Sequence, residues 1–219
     1  MFTGIIEAVG NISAIIRNND DISMVINTNR LDISDVKLGD SIASNGVCLT
    51  VSKLTPTGFV ADLSTETLKR TAFHSYHVGQ KINLEKAMLP TTRFGGHIVS
   101  GHVDGIGDII ELKRKGRTLD MWITVPIHLK KFVSEKGSVC VDGTSLTVNA
   151  VYQNVIKLTI VPHTLANTTL ANATVGQKVN IEADMMARYL ERLISIDKQE
   201  SKKNTNVSMS ILEKHGFIV

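Results

Sequence analysis

Short runs of alternating polar and apolar residues recur along the chain. Residues 48–51, 59–63 and 145–148 have the period of a strand with one buried face. The first and last of these runs follow Asn45-Gly46 and Asp142-Gly143, dipeptides that favour the positive φ of a tight turn. Five or six such strands at intervals of about 8–15 residues, with one brief helix, predict a small antiparallel barrel.

The barrel pattern occurs twice. A shift of 97 positions places Cys48 on Ser145 and Gly4 on Gly101, and it also aligns residues 78–81 with 175–178. A repeat this long is a small domain with its own core rather than a solenoid unit. The sequence therefore predicts an all-β chain of two tandem six-stranded antiparallel Greek-key barrels, at residues 1–96 and 97–185.

After the second repeat the apolar period becomes that of a helix. The apolar positions are Met186, Tyr189, Leu190, Leu193 and Ile194. They predict an amphipathic C-terminal helix of about three turns with Asp184 as N-cap, followed by a solvated or disordered stretch at 197–206. A lone helix beyond two closed barrels must bury its stripe on its own chain or on another subunit, and we favour the second.

Composition sets broad limits on function. A net charge of +3 and 5% aromatic residues disfavour a nucleic-acid-binding barrel. No apolar run approaches the roughly 18 residues of a membrane helix, and residues 1–4 lack the pattern of a signal peptide, so we expect a cytoplasmic protein without a membrane partner. In that compartment Cys48 and Cys140 are expected to be free thiols.

Cofactor motifs are not found in the sequence. There is no Gly-x-Gly-x-x-Gly opening a helix and no P-loop, and His74 and His77 lack cysteine or carboxylate neighbours at metal-ligand spacing. We therefore predict neither a cofactor nor a metal, so any reaction at this chain would depend on positioning and proton transfer.

Three stretches resemble riboflavin synthase of the α type, which has two lumazine-binding repeats. They are Met1-Phe2-Thr3-Gly4-Ile5-Ile6-Glu7, the run Gly-Gly-His-Ile-Val-Ser-Gly-His-Val-Asp-Gly at 95–105, and the paired strands Cys48-Leu49-Thr50 and Ser145-Leu146-Thr147. The resemblance covers residues 1 to about 195 and includes both repeats. The residues beyond it match nothing in the family pattern.

The resemblance implies a transferase. The family converts two molecules of 6,7-dimethyl-8-ribityllumazine into riboflavin and 5-amino-6-ribitylamino-uracil by moving a four-carbon unit, the last step of riboflavin biosynthesis. It also implies a homotrimer, in which each active site holds two lumazines between the N-terminal barrel of one subunit and the C-terminal barrel of another. Residues 186–219 would then be a trimerisation helix and tail. The resemblance allows a further association with lumazine synthase.

Carried over residue by residue, the resemblance implies two substrate sites. The N-terminal site would use Gly4, Ile5, Ile6, Ser41, Cys48, Leu49, Thr50, Asp62, Leu63, Ser64, Thr65, Glu66 and Thr67. The C-terminal site would use Gly101, His102, Val103, Lys136, Ser145, Leu146, Thr147, Thr159, Ile160, Val161, Pro162, His163 and Thr164. Strand backbone would read the uracil-like edge of the ring, and hydroxyl groups of the turn residues would hold the ribityl chain.

Five residues are assigned to the chemistry. We expect His102 to carry a proton, Ser145, Cys48 and Ser41 to act as polar groups near the reacting carbons, and Asp184 to orient them. The alternatives are a hydrogen-bonded structural histidine for His102 and a small buried filler for Cys48. For Lys136 the alternative is plain solvent exposure.

The two repeats differ at positions assigned to the chemistry. Cys48 aligns with Ser145 and Ile5 with His102, which suggests one site for the donor and one for the acceptor. The rival interpretation is a lumazine- or flavin-binding protein of the same build that catalyses nothing. Such relatives typically lose the pattern in the second barrel, whereas here the second copy is intact, which favours the enzyme.

Overall fold

The computed structural model describes residues 1–18, 21–204 and 213–216. Six strands form the first barrel: β1 (Ala8–Asn18), β2 (Asp21–Asn27), β3 (Ser41–Ser44), β4 (Val47–Thr55), β5 (Gly58–Leu63) and β6 (Lys81–Lys86). A short helix, α1 (Thr65–Arg70), follows β5, and Ser64 caps its N-terminus.

The second barrel repeats this order. Its strands are β7 (Gly105–Lys115), β8 (Thr118–Thr124), β9 (Ser138–Val141), β10 (Thr144–Tyr152), β11 (Val155–Ile160) and β12 (Lys178–Ala183). Helix α2 (Pro162–Asn167) occupies the place of α1, with proline at the start where a missing N–H costs nothing.

Both sheets close on themselves. The first runs β1-β2-β5-β4-β3-β6, and the second has the same cyclic order with each number raised by six. In each barrel three hairpin-linked strands are flanked by a fourth that returns by a longer connection, which is the Greek-key arrangement. The predicted fold class is therefore confirmed.

Alternation along β4 and β10 separates core from surface. Leu49 and Val51 point into the first barrel, whereas Cys48 and Thr50 lie on its outer face. The same alternation in β10 buries Leu146 and leaves Ser145 on the outer face. The predicted polar face of each motif is thus the outside of a barrel.

The two barrels meet through reciprocal contacts. Phe2 and Val99 form an antiparallel bridge, with main-chain N–H to O distances of 2.8 and 3.1 Å. The tight turns at Gly46 and Gly143 pack against each other, and a Cβ on Gly46 would lie 2.7 Å from the main-chain nitrogen of Gly143. Because each contact has an equivalent from the other repeat, the boundary has approximate two-fold symmetry within one chain.

A buried polar network crosses the same boundary. Asn83 Nδ2 donates to the main-chain oxygen of Asp142, and Asn180 Nδ2 donates to that of Asn45, both at 2.8 Å. Asn45 Oδ1 and Asp142 Oδ1 accept from the main-chain N–H groups of Asn83 and Asn180, at 2.7 and 2.8 Å. The symmetry is broken by Tyr76, whose hydroxyl accepts from Asn45 Nδ2.

The C-terminal helix, α3 (Met185–Asn204), has 20 residues and forms a unit of its own from Met186 onward. It is longer than the three turns predicted, because its polar continuation consists mostly of good helix formers. Residues 197–204, expected to be solvated or disordered, are helical, and 205 and 206 lie outside the described residues.

Replacing Gly46 by Ala should destabilise the protein more than replacing Gly39 by Ala. Both glycines have positive φ, so each variant loses about 1 kcal/mol to backbone strain. Only Gly46 also has backbone of the other barrel in the path of a Cβ, since Gly39 has nothing within 4 Å. For Gly46→Ala we therefore expect the free energy of unfolding, measured in urea, to fall further by about 1–3 kcal/mol. Equal losses for the two variants would contradict the tight crossing of the turns.

Replacing Asp142 by Asn should change how stability depends on pH. Burial raises the pKa of the Asp142 carboxyl from 3.8 to about 7, so its ionisation destabilises the folded state. The stability that the neutral Asp142 carboxyl contributes is fully present below pH 3.8 and is lost as the pH rises to about 7. Asparagine, which the first repeat has at position 45, never ionises and can still accept from Asn180. In urea titrations the free energy of unfolding of the variant, relative to that of the native chain, should rise by a few kcal/mol between pH 3.8 and about 7. Above about pH 7 the difference should stay constant. A difference that does not vary with pH would contradict this assignment.

Candidate active site

The segment that precedes each barrel lies against the other barrel. The main-chain oxygen of Gly101 accepts from Cys48 N–H at 2.9 Å, and that of Gly4 accepts from Ser145 N–H at 2.8 Å. A Cβ on either glycine would lie 2.6 Å from the Cβ of its partner, so only glycine fits. In the structure Gly4 therefore lies against Ser145 and Gly101 against Cys48, whereas the prediction grouped each glycine with the strand of its own repeat.

The reason for this exchange is where the strands begin. β1 starts at Ala8 and β7 at Gly105, and the main-chain N–H groups of Glu7 and Asp104 still donate to β6 and β12 of the same barrel. The two segments leave the ladder of their own barrel before these residues. The bridge between Phe2 and Val99 holds the two segments side by side at the boundary. From there each segment reaches the outer face of the opposite barrel.

The first composite site forms around the outer face of β4. Cys48 and Thr50 are on this face, and Ser41 stands opposite Thr50 in the register of β3. From the second repeat, Gly101 contacts Cys48 and Val103 packs against the core of the first barrel. Thiol, hydroxyl and apolar groups thus converge from both repeats.

The second composite site is its counterpart on β10. Ser145 and Thr147 lie on the outer face, with Gly4 against Ser145. Ile6 reaches across as Val103 does, and its Cδ1 lies 3.5 Å from the position of a Cβ on Gly143. The predicted residues of strand and segment are therefore brought together, with the segments exchanged.

Some predicted substrate-binding residues offer only their backbone. Leu49, Leu63, Leu146 and Ile160 are buried in the two cores. Their side chains fill the barrels, so a ligand on the outer face can meet only their main-chain groups. The use of strand backbone to read a ring edge stays a prediction.

The turn after β5 carries the hydroxyl groups expected to hold a polar chain. Ser64 Oγ accepts from Thr67 N–H at 3.0 Å, and the two hydroxyl oxygens are 2.9 Å apart. Thr65 and Glu66 are exposed, and Glu66 forms an ion pair with Arg70 along α1. A ligand would have to share the Ser64 and Thr67 hydroxyls with the helix cap.

The equivalent turn in the second barrel is less polar. Val161, Pro162 and His163 are exposed at the start of α2, and Thr164 is half-buried. The main-chain oxygen of Thr164 accepts from the Thr168 hydroxyl at 2.8 Å, which fixes the turn. The two barrels therefore present different surfaces at corresponding positions.

A hydrogen bond that occurs in both barrels also differs between the two copies. In the first barrel Ser23 Oγ donates to Asp62 at 2.6 Å, whereas in the second Thr159 Oγ1 donates to Asp120 at 2.7 Å. Donor and acceptor have exchanged strands between the copies. The first site consequently has an exposed carboxyl group at Asp62, where the second has the hydroxyl of Thr159.

The carboxylate of Asp120 is held by several groups. The Thr159 hydroxyl is the main cause that lowers its pKa to about 2, and Lys157 and Lys115 add to it. The lysine ammonium groups lie 3.0 and 3.1 Å from Asp120 Oδ2. Thr159 is therefore tied to a charged cluster and is fixed in position beside the second site.

Sequence reasoning gave no role to His97. Its Nδ1 is hydrogen-bonded to Ser145 Oγ at 2.7 Å, and burial lowers its pKa, partly offset by the charge of Asp184. Comparing the repeats could not reveal it, because position 97 has no counterpart in the first copy. The local signal was the Gly-Gly-His run, in which Gly96 makes room for Ser145 and Thr3.

A cavity of about 630 Å³ adjoins the first barrel at β3, β6 and the connector after β6. Ser41 and Ile5, both predicted site residues, line it. Its wall includes the ion pair between Lys86 Nζ and Asp35 Oδ1, 2.7 Å apart. The cavity has the volume of a small-molecule site.

The remaining predicted residues, His102, Lys136 and Asp184, differ in exposure. The side chain of His102 is exposed, and its N–H donates to Ser100 Oγ at 3.3 Å. Lys136 is exposed in the turn before β9. Asp184 is half-buried between β12 and α3, close enough to His97 to affect its pKa.

Metal sites and membrane helices are both absent from the residues that the structure describes. Within them, no group of three or more histidine, cysteine, aspartate or glutamate residues is placed to hold a metal ion. The helices of this part of the chain include none that is long and apolar enough to cross a membrane. Both cysteines are free in the structure.

The repeats match a family of ligand-binding domains. The model of the lumazine binding domain matches residues 3–87 and 100–184. Solved structures of LumP complexed with riboflavin and with 6,7-dimethyl-8-(1'-D-ribityl) lumazine have TM-scores of 0.78 and 0.76. Each covers 84% of this chain and 99% of LumP at 23% identity, which establishes a shared fold alone.

Curated relatives are closer in sequence and carry one name. Riboflavin synthase of Photobacterium leiognathi is 70% identical over 218 residues, which cover 100% of both chains. Those of Bacillus subtilis and Saccharomyces cerevisiae are 38% and 36% identical and cover at least 97% of each chain compared. The chain therefore belongs to the riboflavin synthase family, with two lumazine-binding domains in tandem.

Proposed function

We propose that the chain converts two molecules of 6,7-dimethyl-8-ribityllumazine into riboflavin and 5-amino-6-ribitylamino-uracil by transfer of a four-carbon unit. The observation that carries the proposal is the presence of two composite sites, one on each barrel, built from equivalent strands and segments. A reaction between two identical molecules needs two similar sites. The high identity to relatives named riboflavin synthase supports this choice over a binding protein.

Positioning supplies most of the rate enhancement. Holding two rings in a near-attack arrangement is worth roughly 7–11 kcal/mol, whereas one acid or base contributes about 10²–10⁴-fold. Main-chain groups of β4 and β10 bind the ring edges, and the turns after β5 and β11 hold the ribityl chains. Residues 4–6 and 101–103 also bind substrate, a role supported by the contacts of Gly4 with Ser145 and of Gly101 with Cys48.

Because the two sites differ in their chemical groups, they have different roles in this proposal. His102, which follows Gly101 in the chain, carries a proton, while Ser145 and Ser41 are polar groups near the reacting carbons. Asp184 orients the groups of the second site, because its charge acts on His97, the partner of Ser145. One site therefore holds the donor and the other the acceptor.

Assembly completes the site in this proposal. The apolar residues of α3 are exposed by 51–62% in the single chain: Met186, Tyr189, Leu190, Leu193 and Ile194. Three copies joined through these helices would place the first barrel of one subunit opposite the second barrel of the next. A solution mass of one chain in the active preparation would contradict this arrangement. An association with lumazine synthase and a cytoplasmic location stay predictions.

The direct test is to mix purified protein with the lumazine and follow riboflavin absorbance. We expect riboflavin to accumulate at half the rate of lumazine loss. Replacing His102 by Gln should lower kcat by about 10²-fold or more with little change in ligand affinity, since the group acts on a proton. Unchanged turnover would remove His102 from the mechanism. Tight binding of the lumazine without any product would support a carrier protein instead.

Lys136 has a backbone conformation that suits glycine. Its φ is +63°, and the equivalent residue in the first repeat is Gly39 with φ +90°. A non-glycine residue in this region costs roughly 1–2 kcal/mol. We attribute the lysine at this exposed turn to its proposed role in substrate binding.

Replacing Lys136 by Gly should therefore stabilise the chain by about 0.5–1 kcal/mol and weaken lumazine binding. Replacing it by Ala removes the same charge but keeps the strained backbone, so this control should weaken binding without the gain in stability. Thermal unfolding and fluorescence titration measure the two effects. If binding is unaffected in both variants, Lys136 is only a solvent-exposed turn residue.

A further inference from the structure

Two buried glutamates hold the segments that cross between the barrels. Glu182, on β12, is 2% exposed and Glu85, at the same place on β6, is 4% exposed. Neither belongs to the predicted site residues. Buried carboxylates are costly unless donors surround them, so each needs a specific reason for its place.

The contacts of Glu182 give that reason. One carboxylate oxygen accepts from Ser100 N–H at 2.7 Å and from Ser100 Oγ at 2.6 Å. The other accepts from Gly101 N–H at 3.0 Å. Ser100 Oγ in turn accepts from His102 N–H, so the carboxylate fixes the backbone on both sides of Gly101.

Glu85 makes the same contacts in the first repeat. Its carboxylate accepts from Thr3 N–H at 2.6 Å, from Thr3 Oγ1 at 2.7 Å and from Gly4 N–H at 2.9 Å. Thr3 Oγ1 accepts from Ile5 N–H. The geometry is thus repeated in both copies.

The far side of each fixed glycine contacts the other barrel. Gly101 is held through its N–H by Glu182 and presents its carbonyl to Cys48, and Gly4 likewise joins Glu85 to Ser145. One residue therefore separates each glutamate from a strand of the opposite site. A carboxylate that accepts three hydrogen bonds defines that residue's position far better than a neutral side chain would.

We propose that Glu182 and Glu85 are positioning residues that act across the barrel boundary, each setting the geometry of the substrate site on the barrel to which it does not belong. This inference rests on the proposed function for the identity of the ligand. Glu182 places Gly101 and Val103 at the Cys48 site, and Glu85 places Gly4 and Ile6 at the Ser145 site. Glutamine in either place would replace one acceptor oxygen by an NH2 group, which cannot accept a hydrogen bond from the segment. The segment must therefore shift.

The test is riboflavin titration of the full-length chain, with one site disabled at a time. Thr147→Ala leaves the first-barrel site for binding, and Thr50→Ala leaves the second. Glu182→Gln should weaken riboflavin binding about tenfold or more in the Thr147→Ala background and less than twofold in the Thr50→Ala background. Glu85→Gln should give the opposite pattern.

Steady-state kinetics in the otherwise native chain provide a second readout. Glu182→Gln should lower kcat at saturating lumazine, because it displaces His102, whereas Glu85→Gln displaces Ile5 and should mainly raise KM. Ser100→Ala keeps the buried carboxylate but removes the hydroxyl bonded to it. It should shift binding in the same direction by a smaller factor, and it serves if Glu182→Gln does not fold.

Three results would overturn the inference. They are a loss of riboflavin affinity at the site on the glutamate's own barrel, an equal loss of affinity at both sites, or no loss of affinity in folded Glu182→Gln and Ser100→Ala chains. Failure of the proposed function is distinguishable, because native protein would then bind riboflavin without forming it from the lumazine.

Discussion

The structure depends on one constraint: each repeat completes a surface of the other. The segments before β1 and β7 leave their own barrels, meet at the bridge between Phe2 and Val99, and end against the opposite strand. Neither composite site can form from a single repeat, because the strand and the segment that face each other come from different copies. The buried amide network and the packed turns at Gly46 and Gly143 hold the two barrels in the register that this exchange requires.

Chemical differences are placed on this nearly symmetric frame. Cys48 faces Gly101 in one site and Ser145 faces Gly4 in the other, while Asp142 replaces the Asn45 of the first copy. The exchange of carboxyl and hydroxyl groups between Asp62 and Thr159 adds a difference in charge. Symmetry thus provides two sites of similar shape, and substitutions that leave the backbone unchanged make them unequal.

The sequence was sufficient for the fold and for most of the strand residues of the site. Period-two alternation and the turn dipeptides predicted both barrels, and the amphipathic stripe predicted α3, although not its length. The pairing of segments with strands could not be predicted, because Gly4 and Gly101 are equivalent in any self-comparison. Pairing within a repeat and pairing between repeats have identical sequence signatures. Only the three-dimensional boundary distinguishes them.

His97, Glu85 and Glu182 were missed for a related reason. Their importance lies in contacts over 48 and about 80 positions, with Ser145 for His97 and with Thr3 and Ser100 for the glutamates. Nothing in their local pattern marks them, since a glutamate within a strand usually faces water. Burial, which decides their role, follows from the packing of the complete chain.

The most direct measurement is a crystal structure of the protein with a lumazine analogue that cannot react. We predict two bound analogues per chain. The analogue beside Cys48 and Thr50 should touch residues 101–103 of the same chain, and the one beside Ser145 and Thr147 should touch residues 4–6. A single occupied site per chain, or an analogue held by strand and segment of the same repeat, would contradict it.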